Sequence, residues 1–381
     1  MSDRGKRLAA LAGVVGVAVL ALVLGSGRLP WPGSSPIPTQ PLTAEAPGQS
    51  ASDGPLATQS PAPNASSSSP VAALATAAPT VRPTTNPTPH PTPRPTPKPS
   101  PPPAPPPSLS QCKIFPASNV WNRRVDGLPV AANSDAMVAA IGLGAGLHPD
   151  FSNNGWYGIP FNVVGAATPR STVTFQYSDE SDHVGYPIPA KPAIEGGSDR
   201  HLLMVETNEC HLYELFAAQK SGGKWSAGSG ATWNLASNAL RPAGWTSADA
   251  AGLPIFPGLV RFDEVAAGTI RHVIRFTAPS TCNGYVYPAR HEAGSGSCSV
   301  NPPMGLRVRL KASVDISGFG PQSWIVLLAL QRYGMLLADN GSPWYITGAP
   351  NRGWNDDDLH ELGQSNGSDF EVVDTTGFVN G

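Results

Sequence analysis

Several enzyme signatures are missing from this sequence. It contains no C-x-x-C, H-E-x-x-H, G-x-G-x-x-G or G-x-x-x-x-G-K-[ST]. Each encodes a geometry: a chelating or redox cysteine pair, two histidines on one helix face, or a glycine loop against phosphate. Metalloprotease, dinucleotide-enzyme and NTPase readings therefore lose their usual support. Charge is scarce too, at 14% of residues, against about a quarter in ordinary soluble domains. Cysteine is limited to Cys112, Cys210, Cys282 and Cys298. Their spacing lacks the close pairs of a zinc site, and an even number in an exported chain points to two disulfides. Of three possible connectivities, Cys282 to Cys298 closes a short Gly/Ser-rich loop and leaves Cys112 for Cys210. With all four paired, no thiol nucleophile is expected.

Long apolar runs are nearly absent as well. The exception is Leu8 to Leu24, which follows Arg4, Lys6 and Arg7. A basic flank before such a run is the layout of an export segment, and its length favours a retained anchor over a cleaved signal peptide within residues 1–27. The positive-inside rule then orients the rest of the chain outward, so the chain is expected to be exported, membrane-anchored facing outside, or secreted if cleaved. Residues 28–110 are almost entirely Pro, Ser, Thr, Ala and Gly, with proline at every second position from Pro87 to Pro99. Such a segment has too few apolar side chains to offset its ordering entropy, and it reads as a disordered, semi-extended linker.

The remaining residues, 111–381, are expected to form one disulfide-stapled domain. The first 111 residues hold seven of the 25 basic and three of the 27 acidic side chains, which leaves 18 basic against 24 acidic beyond them. That balance offers no electrostatic footprint for nucleic acid. Short alternating segments bounded by Gly, Pro and Asn indicate strands, including His201 to Thr207 and Cys210 to Ala218 as a hairpin. Ile270 to Thr277 and Gly305 to Lys311 also alternate, the latter with Arg307, Arg309 and Lys311 on one basic face. Helices are few: one from Ser134 to Ile141, one from Pro321 to Tyr333 with Trp324 in its core, and one capped by Asn355. The expected fold is mainly β, an antiparallel β-sandwich or jelly-roll-like domain with a few short helices. Asp356, Asp357 and Asp358 fall in a helix's first turn, which explains them better than calcium binding does, and neither a metal nor another cofactor is expected.

Chemistry has to come from side chains near loops and strand ends. Asp263 and Glu264 follow a Gly/Pro-shaped loop that begins at Trp245, His272 lies just beyond, and Arg290 and His291 sit inside the Cys282 to Cys298 loop. Paired carboxylates can protonate a leaving oxygen and activate water, so Asp263 or Glu264 is matched with Glu195, Glu206 or Glu214, and His272, Arg290 and His291 complete the catalytic candidates. His183, His201 and His211 are further histidines, although Asp182 and His183, as strand neighbours, point to opposite faces. Trp156, Trp245, Trp344 and Trp354 lie among Gly, Asn and Ser, where an aromatic face is free to stack on a sugar ring.

Trp245 to Glu264, Tyr287-Pro288-Ala289-Arg290-His291 and Tyr333 to Gly341 resemble segments of a set of uncharacterised exported bacterial proteins. The resemblance spans nearly the whole domain and implies export without implying an activity. From the residues themselves, the expectation is an extracytoplasmic carbohydrate-active domain, a glycoside hydrolase or lyase acting on a polysaccharide or cell-wall glycan. A non-catalytic lectin-like or cell-surface interaction module is the alternative, and a peptidase a third reading that no motif supports.

Overall fold

The computed structural model describes Leu109 and residues 112–378. The expected export segment (residues 1–27) and all of the linker except Leu109 lie outside the described residues. Among the described residues no helix is long and apolar enough to cross a membrane.

The described chain is mainly β. In order it forms α1 (Ser134–Ile141), β1 (His148–Asp150), β2 (Phe161–Val164), β3 (Arg170–Ser171), β4 (Val173–Phe175), β5 (Tyr186–Pro187), β6 (Leu202–Glu206), β7 (His211–Phe216), β8 (Gln219–Ser221), β9 (Lys224–Ala227) and β10 (Ser229–Asn234). Then come α2 (Phe262–Ala266), β11 (Ile274–Ala278), β12 (Arg307–Leu310), α3 (Pro321–Arg332), β13 (Met335–Asn340), β14 (Tyr345–Thr347), α4 (Asp356–His360) and β15 (Phe370–Val372). A six-stranded sheet has the order β1-β14-β11-β13-β12-β15, and a four-stranded sheet the order β10-β7-β6-β2. Pairing is mixed rather than purely antiparallel: β1 with β14, β11 with β13, β2 with β6 and β4 with β9 are parallel.

The expected hairpin is present, with β6 and β7 antiparallel and Glu206 opposite His211. All five residues of β6 are buried, and alternation explains why. Leu203 and Val205 pack into the main core, while Leu202 and Met204 enter a second cluster with Val173, Tyr186 and Trp225. A strand with a core on each face shows no polar alternate positions, so it reads as a continuous apolar run.

Both disulfides form as expected, Cys112 to Cys210 and Cys282 to Cys298. The basic face expected on β12 does not face solvent. Arg307 is buried and donates to the carbonyls of Tyr333 at 2.8 Å, Arg123 at 3.1 Å and Val120 at 3.3 Å. Burial pulls its guanidinium down to about 9, and those carbonyls supply the hydrogen bonds that make the burial tolerable.

Trp324 is also placed differently from expectation, 38% exposed on the outer side of α3. The inward stripe is Ser323, Val326, Leu327 and Leu330, one position out of phase with the tryptophan. Ser323 takes the buried place because Asp358 of α4 receives the backbone N–H groups of Gln322 at 3.0 Å and Ser323 at 2.9 Å, while the Ser323 hydroxyl donates to the Asp358 carbonyl at 2.6 Å. Of the aspartate run, only Asp358 is buried; it caps a neighbouring helix as well as starting its own. Replacing Asp358 with Ala strips a carboxylate cap from α3 and is expected to cost about 1–2 kcal/mol, measured as a lowered urea midpoint with an unchanged slope.

Candidate functional site

The five catalytic candidates do not form one group. Asp263 has a 64% exposed side chain and its only ion-pair partner among the described residues is Arg261 at 3.8 Å. Glu264 lies between Arg261 at 2.6 Å and the Nε2 of His272 at 3.0 Å. The other ring nitrogen of His272 donates to the Val273 carbonyl at 2.8 Å. Burial pushes the Glu264 carboxyl up, but His272 and Arg261 outweigh it and hold the group below its usual range. This is a structural ion-pair network that engages both Glu264 and His272, with the Arg261 Nε buried and without a hydrogen-bond partner. Arg290 and His291 belong elsewhere, against the loop that begins at Trp245. Arg290 donates to the Arg241 carbonyl at 2.9 Å, and His291 Nδ1 donates to that of Ala250 at 2.9 Å.

The proposed carboxylate partners separate too. Glu206 is bound by Arg170 at 2.7 and 2.8 Å. Glu214, fully buried, receives the N–H groups of Ile255 at 2.9 Å and Phe256 at 2.8 Å, and burial raises its carboxyl to about 7. Asp182 and His183 indeed part, Asp182 accepting from Arg241 at 2.7 Å and His183 from or to Ser178.

Two of the tryptophans offered as sugar platforms are core residues. Trp344 is fully buried, stacked between Phe276 at 5.7 Å and Phe370 at 5.0 Å, with its indole N–H on the Gly142 carbonyl. Trp354 is buried against Phe151 and Phe262 and donates to Ala349. Loop tryptophans beside small residues here fill the space under their own loops. Trp245 is half-buried with its ring over the Arg241 guanidinium at 5.5 Å. Trp156 alone of the four is freely presented, at 83% exposure.

A different set of ionisable residues converges. At its centre is Arg275 on β11, buried, gripping Asp249 in a two-point contact of 2.9 and 3.2 Å and donating to the Thr347 hydroxyl on β14 at 2.6 Å. The same guanidinium nitrogen that holds Asp249 lies 4.0 Å from Asp339 at the end of β13. Asp249 has no exposed side-chain surface, whereas the Asp339 side chain is 32% exposed. Asp150 ends β1 directly opposite Thr347. Nearby, the buried His201 meets Glu195 at 2.5 Å through Nδ1 and the Ala248 carbonyl at 3.0 Å through Nε2. A carboxylate and a carbonyl only accept, so both ring nitrogens carry hydrogen and the imidazole is cationic.

The loop carrying Asp249 is fixed at every turn. Ser247 donates to the Leu253 carbonyl at 2.6 Å and receives the Asp249 N–H at 2.9 Å. Ala251 donates to Ala338 on β13 at 3.0 Å, and the N–H groups of Arg290 and His291 both reach the Ala251 carbonyl. Gly252 has φ +67°, and a Cβ there would come within 2.5 Å of the Trp245 carbonyl, so no other residue fits without moving the loop. The Glu214 contacts with Ile255 and Phe256 pin its far end.

Protonation follows from this packing. Burial and then the Asp249 carboxylate push Asp339 up to about 7, with Arg275 opposing. Burial likewise raises Asp150. Burial disfavours a charged His201, but Glu195 overrides it and raises the imidazole to about 9; Glu195 itself is held low by His201 despite its own desolvation.

Sequence reasoning missed Asp150, Arg275 and Asp339 as site members, and treated Asp249 only as part of a loop. A signal was present. Arg275 lies between Ile274 and Phe276, and Asp339 ends the run Met335 to Ala338. A charge embedded in apolar strand sequence needs a buried partner, and here the partners are each other. Among the described residues, no group of three or more His, Cys, Asp or Glu side chains is arranged to hold a metal ion. Compared with protein-family models, curated proteins and solved structures, the chain matches none.

Asp339, Glu214 and His201 all hold a proton more tightly when folded than their ordinary values of 3.8, 4.5 and 6.5 allow. The stability they contribute is full below those values and is lost as pH rises through about 7 and then about 9. The thermal midpoint is therefore expected to fall across that interval, and Glu214→Gln to make the fall near neutrality shallower, as followed by circular dichroism at closely spaced pH.

Proposed function

We propose that the domain is a carbohydrate-active enzyme that cleaves glycosidic bonds outside the cytoplasm, with Asp339 as the proton donor. The observation that carries this reading is the pairing of an accessible carboxyl, raised to about 7, with a buried carboxylate locked to Arg275. A general acid works best when its proton is held near operating pH, and two carboxylates in unlike environments divide into an acid and an ionised partner.

Asp249 is too deeply buried to meet substrate, so its part is to keep the Asp339 proton in place. The second carboxylate at the reacting bond is Asp150, across Arg275 from Asp339. Strand order puts β14 and β11 between them, and Asp150 lies two residues along from the row that holds Asp339, a backbone separation of roughly 16 Å. A gap of that size leaves room for a water between the two carboxyls, which suits inversion better than a covalent intermediate. Asp339 gives its proton to the glycosidic oxygen as the bond to the anomeric carbon breaks. Asp150 takes a proton from the water whose oxygen attacks that carbon. Arg275 and His201 are both fully engaged with protein groups, so they set the field of the site without having to bind the substrate themselves.

Export supports this reading through the apolar run after Arg7 and through the two disulfides, which persist in oxidising compartments. The partner would be a polysaccharide or cell-wall glycan, with the membrane engaged through the N-terminal segment. Trp156 and Tyr157, at 83% and 59% exposure, favour glycan contact in either the enzymatic or the lectin-like reading. The lectin-like reading alone leaves the raised Asp339 without a role.

The test is reducing-end release by the full-length protein from chitin, β-glucan, mannan, xylan and peptidoglycan. Asp339→Asn is expected to lower kcat by roughly 10²–10⁴-fold. Activity of the unaltered protein should decline as pH rises through about 7, and Asp249→Asn, verified as folded, should move that alkaline limb to lower pH because the charge that raises Asp339 is gone. Product release unaffected by Asp339→Asn would exclude this assignment.

A further inference from the structure

Beside the Arg275 cluster a cavity of about 410 Å³ opens, lined by Gly146, Leu147, His148, Ser342, Pro343 and Tyr345 among others. His148 and Tyr345 stack within it, ring centroids 4.0 Å apart and 25° from parallel. Both rings are half-buried, each covering one face of the other.

Strand register ties this cavity to the carboxylates. His148 of β1 is opposite Tyr345 of β14, Tyr345 is opposite Thr277 of β11, and Thr277 is opposite Asp339 of β13. Residues directly opposite in a sheet share a face, so the four form one row across four adjacent strands. Two residues further along the β1–β14 pair, Asp150 and Thr347 begin a second row on the same face, which Arg275 joins through its bond to Thr347. The stacked rings and the proposed proton donor therefore occupy a single sheet face. The Tyr345 and Asp339 backbones are two strand spacings apart, roughly 10 Å, and His148 is one spacing beyond.

We infer that the His148–Tyr345 cavity is a sugar-binding subsite of the same cleft, remote from the cleavage point. It takes an uncharged pyranose unit of a polymeric chain. The volume falls within the range of small-ligand pockets, roughly 300–1,000 Å³. An aromatic edge flanked by a serine hydroxyl and glycine backbone offers an apolar surface and hydrogen bonds together, as a sugar ring requires. No Lys, Arg, Asp or Glu lines the cavity, which disfavours a uronate or phosphate-bearing unit. The distance to Asp339 exceeds one sugar ring, so a monosaccharide or disaccharide cannot fill the subsite and the cleavage point together. The inferred specificity is for internal bonds of a neutral chain.

This inference rests on the glycosidic reading of Asp339, and the experiment separates the two. In the full-length Asp339→Asn protein, binding is measured by isothermal titration against length ladders of chitin, β-glucan and mannan oligosaccharides, with an oligogalacturonate ladder as the charged control. Affinity is expected to rise with chain length until the subsite is filled, for a neutral ladder only. Adding Tyr345→Ala should lower affinity for the long oligosaccharides roughly tenfold and remove the length dependence, while adding Tyr345→Trp, which preserves a stacking face, should retain it. If Asp339 proves essential for cleavage yet the Ala and Trp variants bind long chains equally, the subsite is wrong and the catalytic reading stands. If the unaltered protein neither binds nor cleaves any of these glycans, both are overturned.

Discussion

The contact on which the rest of this domain depends is the two-point grip between Arg275 and Asp249. Taking two charges out of water is costly, and their attraction offsets that only when geometry is good and the remaining donors are satisfied. Here both conditions hold. Thr347 receives another guanidinium donor, and the loop presenting Asp249 is stitched to β13, to the Cys282–Cys298 loop and to Glu214 on β7. The pair thus joins the six-stranded sheet to the four-stranded one through a single loop. It also leaves an unbalanced charge environment at its edge, where Asp339 has to lie beside a carboxylate whose counter-ion is already taken. The same packing that stabilises the join displaces the affinity of Asp339 for its proton.

Legibility in the sequence followed how local each signal was. The hairpin of β6 and β7 and the helices begun by Ser134, Pro321 and Asn355 rest on signals within a few residues, the disulfide pairing follows from the one short loop that leaves the other two cysteines for each other, and the structure has all of them. Whether strands pair parallel or antiparallel is decided by segments far apart in sequence, and the four parallel pairings carry no local mark. Alternation also misled on β12. Arg307 and Arg309 looked like a solvated face because their neighbours were apolar, but three carbonyls from two distant segments receive Arg307.

The site was harder still. Asp263 and Glu264 looked promising because they are adjacent acids beside a shaped loop, yet a helix start and Arg261 account for both. Trp344 and Trp354 had the loop context of binding residues, but a large ring beside glycine can as easily fold inward as outward. What distinguishes the residues that do converge is the reverse property: a charge where the local sequence is apolar. Asp339 after Leu336-Leu337-Ala338 and Arg275 between Ile274 and Phe276 each pose a desolvation problem that only a distant partner solves. Reading for unsolved burial, rather than for clustered polar residues, would have found the pair.

The converging residues come from five separated stretches of chain, at Asp150, Glu195 to His201, Asp249, Arg275 and Asp339 to Thr347. Every link among them closes a long loop, and such loops form late because their entropy is spent before the contacts reward it. During folding, then, the central guanidinium has no partner until β13, β14 and the Asp249 loop have all arrived. Partly assembled chains are penalised at this point and completed ones are not. The cluster around Arg275 makes the domain's last steps of assembly cooperative.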